Sequence, residues 1–307
     1  MGELEGAVGS GCAIDIFRNF NSMQPLIITI IQANLFWENK TANLKMFEEK
    51  IKNIQSKTEL VILPEMFSTG FSMNPEKLAE TMEGETVAWM KRIAIQQKII
   101  LTGSVIIEDN QNYYNRLIWM LPNGQYGYYN KRHLFAFAKE DEHYTAGNKR
   151  LIAQVKGWKI NLQVCYDLRF PVWARQAPSQ PPPKGEEQAT LNAKNENKKI
   201  ENTYEYDLLI YVANWPERRS HAWKTLLTAR AIENQCYTIG VNRVGNDGNN
   251  IYHSGNSMII DPLGEIIYHK EKEEDIFTYT LQKETLQDVR TKLPFLKDGD
   301  GFIISLK

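Results

Sequence analysis

Short runs of branched and aromatic residues alternate along this chain with stretches whose apolar residues recur at three- and four-residue intervals. Strand-like and helix-like periods in alternation confine the chain to layered α/β architectures. Pro25 to Leu35 is the first apolar run, and Glu38 to Lys57 follows as an amphipathic helix with Leu44, Phe47, Ile51 and Ile54 on one face. Leu60 to Leu63 reads as a strand, Glu83 to Lys98 as a helix, and Ile99 to Ile107 and Asn115 to Leu121 as strands. Pro122-Asn123-Gly124 marks a tight turn, from which Tyr126 to Asn130 returns as a hairpin partner. Lys131 to Asn148 reads as a polar loop. Further strands are expected at 151–155, 159–165, 208–213, 237–244, 257–260, 265–269 and 276–281, with a helix over 220–235 and a short one after the last strand. Hairpins interspersed with the alternating elements require mixed sheets, not a pure parallel barrel.

Two segments depart from this pattern. Residues 1–22 are without period and begin rich in Gly and Glu, the composition of a disordered extension, which leaves 23–307 as one domain. Between about 176 and 206 a Pro181-Pro182-Pro183 run gives way to Asn, Lys and Glu with almost no large apolar residue. Such a stretch cannot bury a core, so it is expected to be a mobile surface insertion.

Composition removes several function classes. The formal net charge of -1 offers no field for nucleic acid or an anionic membrane. No apolar run approaches the ~20 residues that span a bilayer. Only three cysteines occur (Cys12, Cys165 and Cys236), an odd number without paired spacing, which points to a reducing, cytoplasmic setting. The five histidines are scattered without zinc-ligand spacing, so no metal and no cofactor are expected.

The chemistry centres on Leu162-Gln163-Val164-Cys165-Tyr166-Asp167-Leu168-Arg169-Phe170-Pro171, where an apolar strand ends abruptly in polar residues. Taken alone, a strand-end cysteine is most often inert core. A strand-to-turn junction, however, exposes the sulfur beside backbone N–H groups, as in a nucleophile elbow. A thiol nucleophile needs a partner for its proton. His133 has the best context among the histidines, but Glu65, at the end of Val61-Ile62-Leu63-Pro64, and Lys131, after Tyr126 to Asn130, are more suggestive.

Leu63-Pro64-Glu65, Asn130-Lys131-Arg132-His133-Leu134-Phe135 and Val164-Cys165-Tyr166-Asp167-Leu168-Arg169-Phe170-Pro171 resemble the three motif blocks of the nitrilase, or carbon–nitrogen hydrolase, superfamily, in that family's order. Thr102-Gly103-Ser104, Ala213-Asn214-Trp215-Pro216, Ala229 to Asn234 and Val241 to Gly245 also match, so the resemblance runs from about Leu26 to Phe302. Glu65 to Met73 and Tyr144-Thr145-Ala146-Gly147 look like the bacterial omega-amidase branch, whose members hydrolyse the terminal amide of 2-oxoglutaramate and related short monoamides.

The resemblance implies a four-layer α-β-β-α sandwich with mixed sheets and a homodimer or higher homo-oligomer. It also implies a thioester mechanism in which Cys165 is the nucleophile, Glu65 the general base and Lys131 the cation facing the tetrahedral intermediate. A second glutamate is implied shortly before Gly147. Glu140 fits it best by distance, with Glu142 as the alternative. The backbone of Tyr166 is expected at the oxyanion, Phe67, Tyr166 and Trp215 as apolar walls, and Arg169 at a substrate carboxylate unless it pairs with Asp167. The expected reaction is hydrolysis of a small amide bearing a distal carboxylate. A nitrile or N-carbamoyl amino acid as substrate, or a catalytically silent binding protein, are the alternatives.

Overall fold

A computed structural model of the chain describes residues 24–176, 204–300 and 304. The expected N-terminal extension and most of the expected insertion lie outside them. The order is β1 (Leu26–Gln32), α1 (Lys40–Lys52), β2 (Leu60–Ile62), α2 (Pro75–Leu78), α3 (Glu85–Gln97), β3 (Ile100–Asp109), β4 (Asn112–Met120) and β5 (Tyr126–Asn130). Then come α4 (Glu140–His143), β6 (Ile152–Val155), β7 (Trp158–Val164), α5 (Pro171–Ala174), β8 (Leu208–Ala213), α6 (Ser220–Asn234) and β9 (Tyr237–Asn242). β10 (Val244–Asn246), β11 (Tyr252–Ile260), β12 (Ile266–Glu271), β13 (Asp275–Leu281) and α7 (Lys283–Lys292) follow, and 3-10 turns lie at Ala136–Ala138, Cys165–Arg169, Glu217–Arg219 and Phe295–Asp298.

Two mixed sheets result, one in the order β13-β1-β2-β3-β4-β5, the other β10-β11-β9-β8-β7-β6 with β12 beside β11. At the centre of each run three parallel strands, β1-β2-β3 and β7-β8-β9, flanked by antiparallel partners. The central strands read as unbroken apolar runs because both of their faces are covered. Leu208, Ile210 and Val212 of β8 enter the core between the sheets, where they meet Ile28, Ile62 and Trp119 of the other sheet. Leu209, Tyr211 and Ala213 point the other way, onto Trp223, Leu227 and Ala231 of α6. On the first sheet, Val61, Leu63 and Leu101 face outward onto Leu44 and Phe47 of α1 and Met90 and Ile93 of α3. The outcome is the four-layer α-β-β-α sandwich that the resemblance implies. Each fully buried aliphatic side chain contributes about 1.5–3 kcal/mol.

The structure amends the sequence reading in several places. The stretch 131–148 contains a short 3-10 turn at Ala136–Ala138 and α4. β11 begins at Tyr252, five residues before the expected strand, and pairs there with β10. Its first half is polar because it meets polar partners: Gln32 accepts from the Ser257 N–H (3.0 Å) and Asn242 donates to the Gly255 carbonyl (2.6 Å). Gln176 and Tyr206, counted with the insertion, are buried members of the fold. The Gln176 amide donates to the Asn234 carbonyl (2.6 Å) and the Tyr206 hydroxyl donates to the Ala174 carbonyl.

The loop that follows β5 is held against that strand's end by one close approach. The Gly147 N–H donates to the Lys131 carbonyl (2.9 Å), and a Cβ on Gly147 would lie 2.1 Å from the Asn130 carbonyl oxygen. Backbone cannot yield as a flexible side chain can. Gly147→Ala is therefore expected to destabilise by about 1–3 kcal/mol, read as a lower urea midpoint at unchanged m value. An unchanged midpoint would show that this contact does not brace the end of β5.

Candidate active site

In each sheet the candidate residues lie just past the carboxyl ends of strands that run the same way, the rim where open α/β sheets hold ligands. Glu65 follows β2, Lys131 follows β5, Cys165 follows β7 and Asn214 follows β8. The turns that release them are tight. Cys165 has φ 43° and Met66, next to Glu65, has φ 42°. Left-handed backbone costs an L-residue roughly 1–2 kcal/mol, so other contacts must hold both turns.

At Cys165 the hold comes from Asp167, which is wholly buried. Its carboxylate accepts from the Val164 N–H (3.0 Å), the Tyr129 hydroxyl (2.8 Å) and the His133 N–H (2.9 Å). The His133 ring nitrogen Nδ1 lies 2.8 Å from the same carboxylate, and its ring stacks on Phe170 with centroids 3.8 Å apart. Asp167 thus ties the Cys165 turn to the strand end that carries Lys131. His133 serves this brace. At Met66 the backbone N–H donates to the Ser104 hydroxyl (2.8 Å), and the Asn214 side chain donates to the Glu65 carbonyl (2.6 Å).

Lys131, Glu65 and Glu140 are buried together, with side-chain exposure of 0%. The Lys131 ammonium donates to Glu65 Oε1 (3.0 Å) and to both Glu140 oxygens (2.9 and 2.8 Å). Asn115, in β4, donates to Glu65 Oε1 (2.8 Å) and to Glu140 Oε1 (3.2 Å). The Asn214 N–H donates to Glu65 Oε2 (2.8 Å), and the Phe135 N–H donates to Glu140 Oε2 (2.6 Å). Every oxygen of both carboxylates therefore has a donor. Burial opposes the Lys131 charge, but Glu140 and Glu65 outweigh it and hold its pKa above the ordinary lysine value. Burial raises the Glu140 pKa against the pull of Lys131, with Glu65 adding to the rise. The Cys165 thiol is pushed well up, first by burial and then by the Glu65 carboxylate, while Lys131 pulls the other way. The sulfur therefore rests as a thiol beside a carboxylate and an ammonium.

These groups meet a cavity of ≈ 520 Å³, lined in part by Cys165, Lys131, Tyr166, Phe71, Asn214 and Trp215. Asn214 Oδ1 is buried there without a hydrogen-bond partner. Among the described residues no group of three or more His, Cys, Asp or Glu side chains could hold a metal ion, and no helix is long and apolar enough to cross a membrane.

Of the residues singled out from sequence, Cys165, Glu65, Lys131 and Glu140 converge. Glu142 does not; it is exposed and lies 3.5 Å from Lys139. Tyr166, Trp215 and Arg169 line the cavity. Phe67 is a correction: it packs beneath the helical layer, its ring 5.6 Å from Phe47 and 5.8 Å from Trp89. The turn after Glu65 sends that side chain to the outer face of the sheet. Arg169 does not pair with Asp167, whose oxygens have other donors, but lies over the Trp215 ring at 5.0 Å. The sequence gives Asn115 no role, and it offers Asn214 only as part of a matched motif. Asn115 leaves a trace, being an amide with Arg116 at the head of the apolar run Leu117 to Leu121.

Comparison with known proteins agrees with this geometry. The family model described as carbon-nitrogen hydrolase matches residues 27–180 and 194–291. Omega-amidase YafV of Yersinia enterocolitica is 39% identical over 283 residues, covering 92% of this chain and 100% of its own. The 2-oxoglutaramate amidase of Bacillus subtilis is 29% identical, covering 88% of this chain and 96% of its own. Among solved structures, XC1258 of Xanthomonas campestris, a CN-hydrolase superfamily protein with an arsenic adduct in its active site, superposes with a TM-score of 0.83. It is 39% identical and covers 92% of this chain and 100% of its own. The strand-end site, the four-layer sandwich and the matched family model lead to one conclusion: the chain belongs to the carbon–nitrogen hydrolase family.

Proposed function

We propose that the chain is an omega-amidase, which hydrolyses the terminal carboxamide of a small ω-amido acid to the acid and ammonia. The observation that carries the reading is the buried Glu65–Lys131–Glu140 cluster, whose Lys131 lines one cavity together with Cys165. The activities named for the Yersinia and Bacillus relatives supply the substrate class.

In the proposed reaction Glu65 takes the thiol proton as Cys165 Sγ attacks the amide carbon. A raised thiol pKa suits this order, since the proton leaves only as the new bond forms. The oxyanion faces Lys131 and the backbone N–H of Tyr166, and a single such donor is worth ~3 kcal/mol of transition-state stabilisation. The C–N bond breaks as Glu65 returns its proton to the nitrogen, and ammonia departs. A water, deprotonated by Glu65, then attacks the thioester and releases the acid and the thiol. Glu140 positions Lys131 by two hydrogen bonds. Tyr166 and Trp215 supply apolar walls, and the enzyme acts as a homo-oligomer in the cytoplasm.

Three measurements test these assignments. Ammonia release from 2-oxoglutaramate or succinamate is expected, abolished by Cys165→Ala; failure of the folded protein to turn over any short monoamide would sink the reading. Iodoacetamide labelling of Cys165 should rise with pH, with a midpoint above the ~8.5 of an ordinary thiol. Glu65→Gln removes the neighbouring negative charge while Lys131 stays, so the midpoint should fall even as turnover is lost. A midpoint unmoved by this change would separate Glu65 from the thiol. Lys131→Met leaves two buried carboxyl groups without their cation, and about 3–5 kcal/mol of stability should be lost at neutral pH. With Glu140 raised further, that loss is full above its folded pKa and shrinks as pH falls toward the unfolded ~4.3. Denaturation midpoints from pH 5 to 8 would read this, and a loss independent of pH would contradict it.

A further inference from the structure

The same cavity also carries positive charge beyond Lys131. Arg169, Arg218 and Arg219 all line it, and among the described residues none of their guanidinium groups makes a hydrogen bond or an ion pair. Each instead lies over an aromatic ring: Arg169 over Trp215 at 5.0 Å, Arg218 over Phe137 at 5.8 Å and Arg219 over Phe135 at 5.0 Å. Acids are present elsewhere in the lining, but they are engaged. Glu38 accepts from the Ser72 hydroxyl (2.6 Å), and Asp247 accepts from the Asn249 and Ile251 N–H groups (2.8 and 2.9 Å).

The three arginines are not equivalent. Arg169 and Arg218 are exposed, where water satisfies a guanidinium and an ion pair is worth little. Arg219 is half-buried. Burial lowers its pKa, Arg218 and Arg169 add to the fall, and Cys165 and Tyr166 oppose it. Its backbone is held by the Trp215 indole, which donates to the Arg219 carbonyl (2.8 Å). The Phe135 ring beneath it belongs to the residue whose N–H is fixed on Glu140 (2.6 Å). Arg219 also stands at the N-terminus of α6, where no side chain caps the first turn. A helix N-terminus adds positive potential of its own. A half-buried, unpaired cation in a preorganised setting is stabilised by an anion, and a planar guanidinium suits a carboxylate above all.

Building on the amidase reading, we propose that Arg219 is the specificity-determining residue that binds the distal carboxylate of the substrate, with Arg169 on Trp215 as its outer companion. The cavity then holds the amido acid by both ends, amide at Cys165 and carboxylate at Arg219.

The test compares succinamate with butyramide, which has a methyl group where succinamate has its carboxylate. Wild-type enzyme is expected to prefer succinamate. Arg219→Gln should cut kcat/KM for succinamate by on the order of 10²-fold, mainly through KM. Its butyramide turnover should persist, which also shows that the variant folds. Arg219→Lys should restore part of the preference, and Arg169→Gln should cost less than Arg219→Gln. Succinate should raise the Tm of wild type but not of Arg219→Gln. A preference for succinamate that survives Arg219→Gln, or an equal loss on both substrates, overturns the subsite alone. Wild-type turnover of butyramide equal to that of succinamate overturns the amido-acid reading, and the subsite with it.

Discussion

The Lys131 ammonium lies in the interior between two carboxylates, and much of the architecture around it follows from that placement. Removing a lone charge from water costs several kcal/mol even after relaxation. Lys131 can therefore be buried only if Glu65 and Glu140 arrive with it, and they can be buried only if it arrives with them. The three come from the ends of two strands and the start of a short helix. Asn115 donates to both carboxylates, while Asn214 and Phe135 contribute backbone N–H groups. No one of these contacts accounts for the cluster, because each removes a penalty that the others create.

That closed charge cluster also explains where backbone strain is tolerated. Cys165 and Met66 occupy left-handed conformations next to it, in the turns that end two parallel strands. Both turns are pinned by donors and acceptors with wider duties. Asp167 binds the turn after β7 to the residues on either side of Lys131, through Tyr129 and His133. Asn214 binds the turn after β2 to the end of β8. The cores between and outside the sheets hold the strands in register, so the turns inherit fixed anchors. A loop of the same sequence without those anchors would relax out of the left-handed region, and the sulfur would leave the rim.

How much of this was legible depended on whether the signal was local. The strand-to-turn break at Cys165 shows in the chain itself, as apolar residues give way to Tyr-Asp-Leu-Arg. Glu65 and Lys131 carry a weaker mark, each following the end of a strand. Each resembles an ordinary loop residue, and only the order of the three motif blocks joined them. The choice between Glu140 and Glu142 turned on geometry: two steps along a helical turn place side chains on nearly opposite sides, so one reaches Lys131 and the other solvent. Phe67 was misplaced because nothing local fixes which face a turn residue takes. The polar first half of β11 was missed because its partners, Gln32 and Asn242, are distant in sequence. Arg219 leaves no signal in the chain, since what sets it apart is that among the described residues its guanidinium has no ion-pair partner.

The arrangement of charge also bears on orientation. At one end of the cavity a single cation is shared by two carboxyl groups, and burial and Glu65 together raise the pKa of Glu140. That end has no spare positive charge for a second carboxylate, and a substrate entering with its acid end foremost would meet repulsion from Glu65. Elsewhere in the lining three guanidinium groups have no acid partner among the described residues. An ω-amido acid has one neutral end and one anionic end, and only one of its two orientations avoids a like-charge contact while filling the unpaired cations. Like charges brought together across a desolvated site cost several kcal/mol, enough to exclude the reversed pose by a factor of a hundred or more. The same field would discriminate between substrates: a neutral amide gains nothing at Arg219, and a diamide leaves that cation unpaired. Selectivity for a carboxylate-bearing amide then arises before any bond is made, from where the chain has left a charge without its partner.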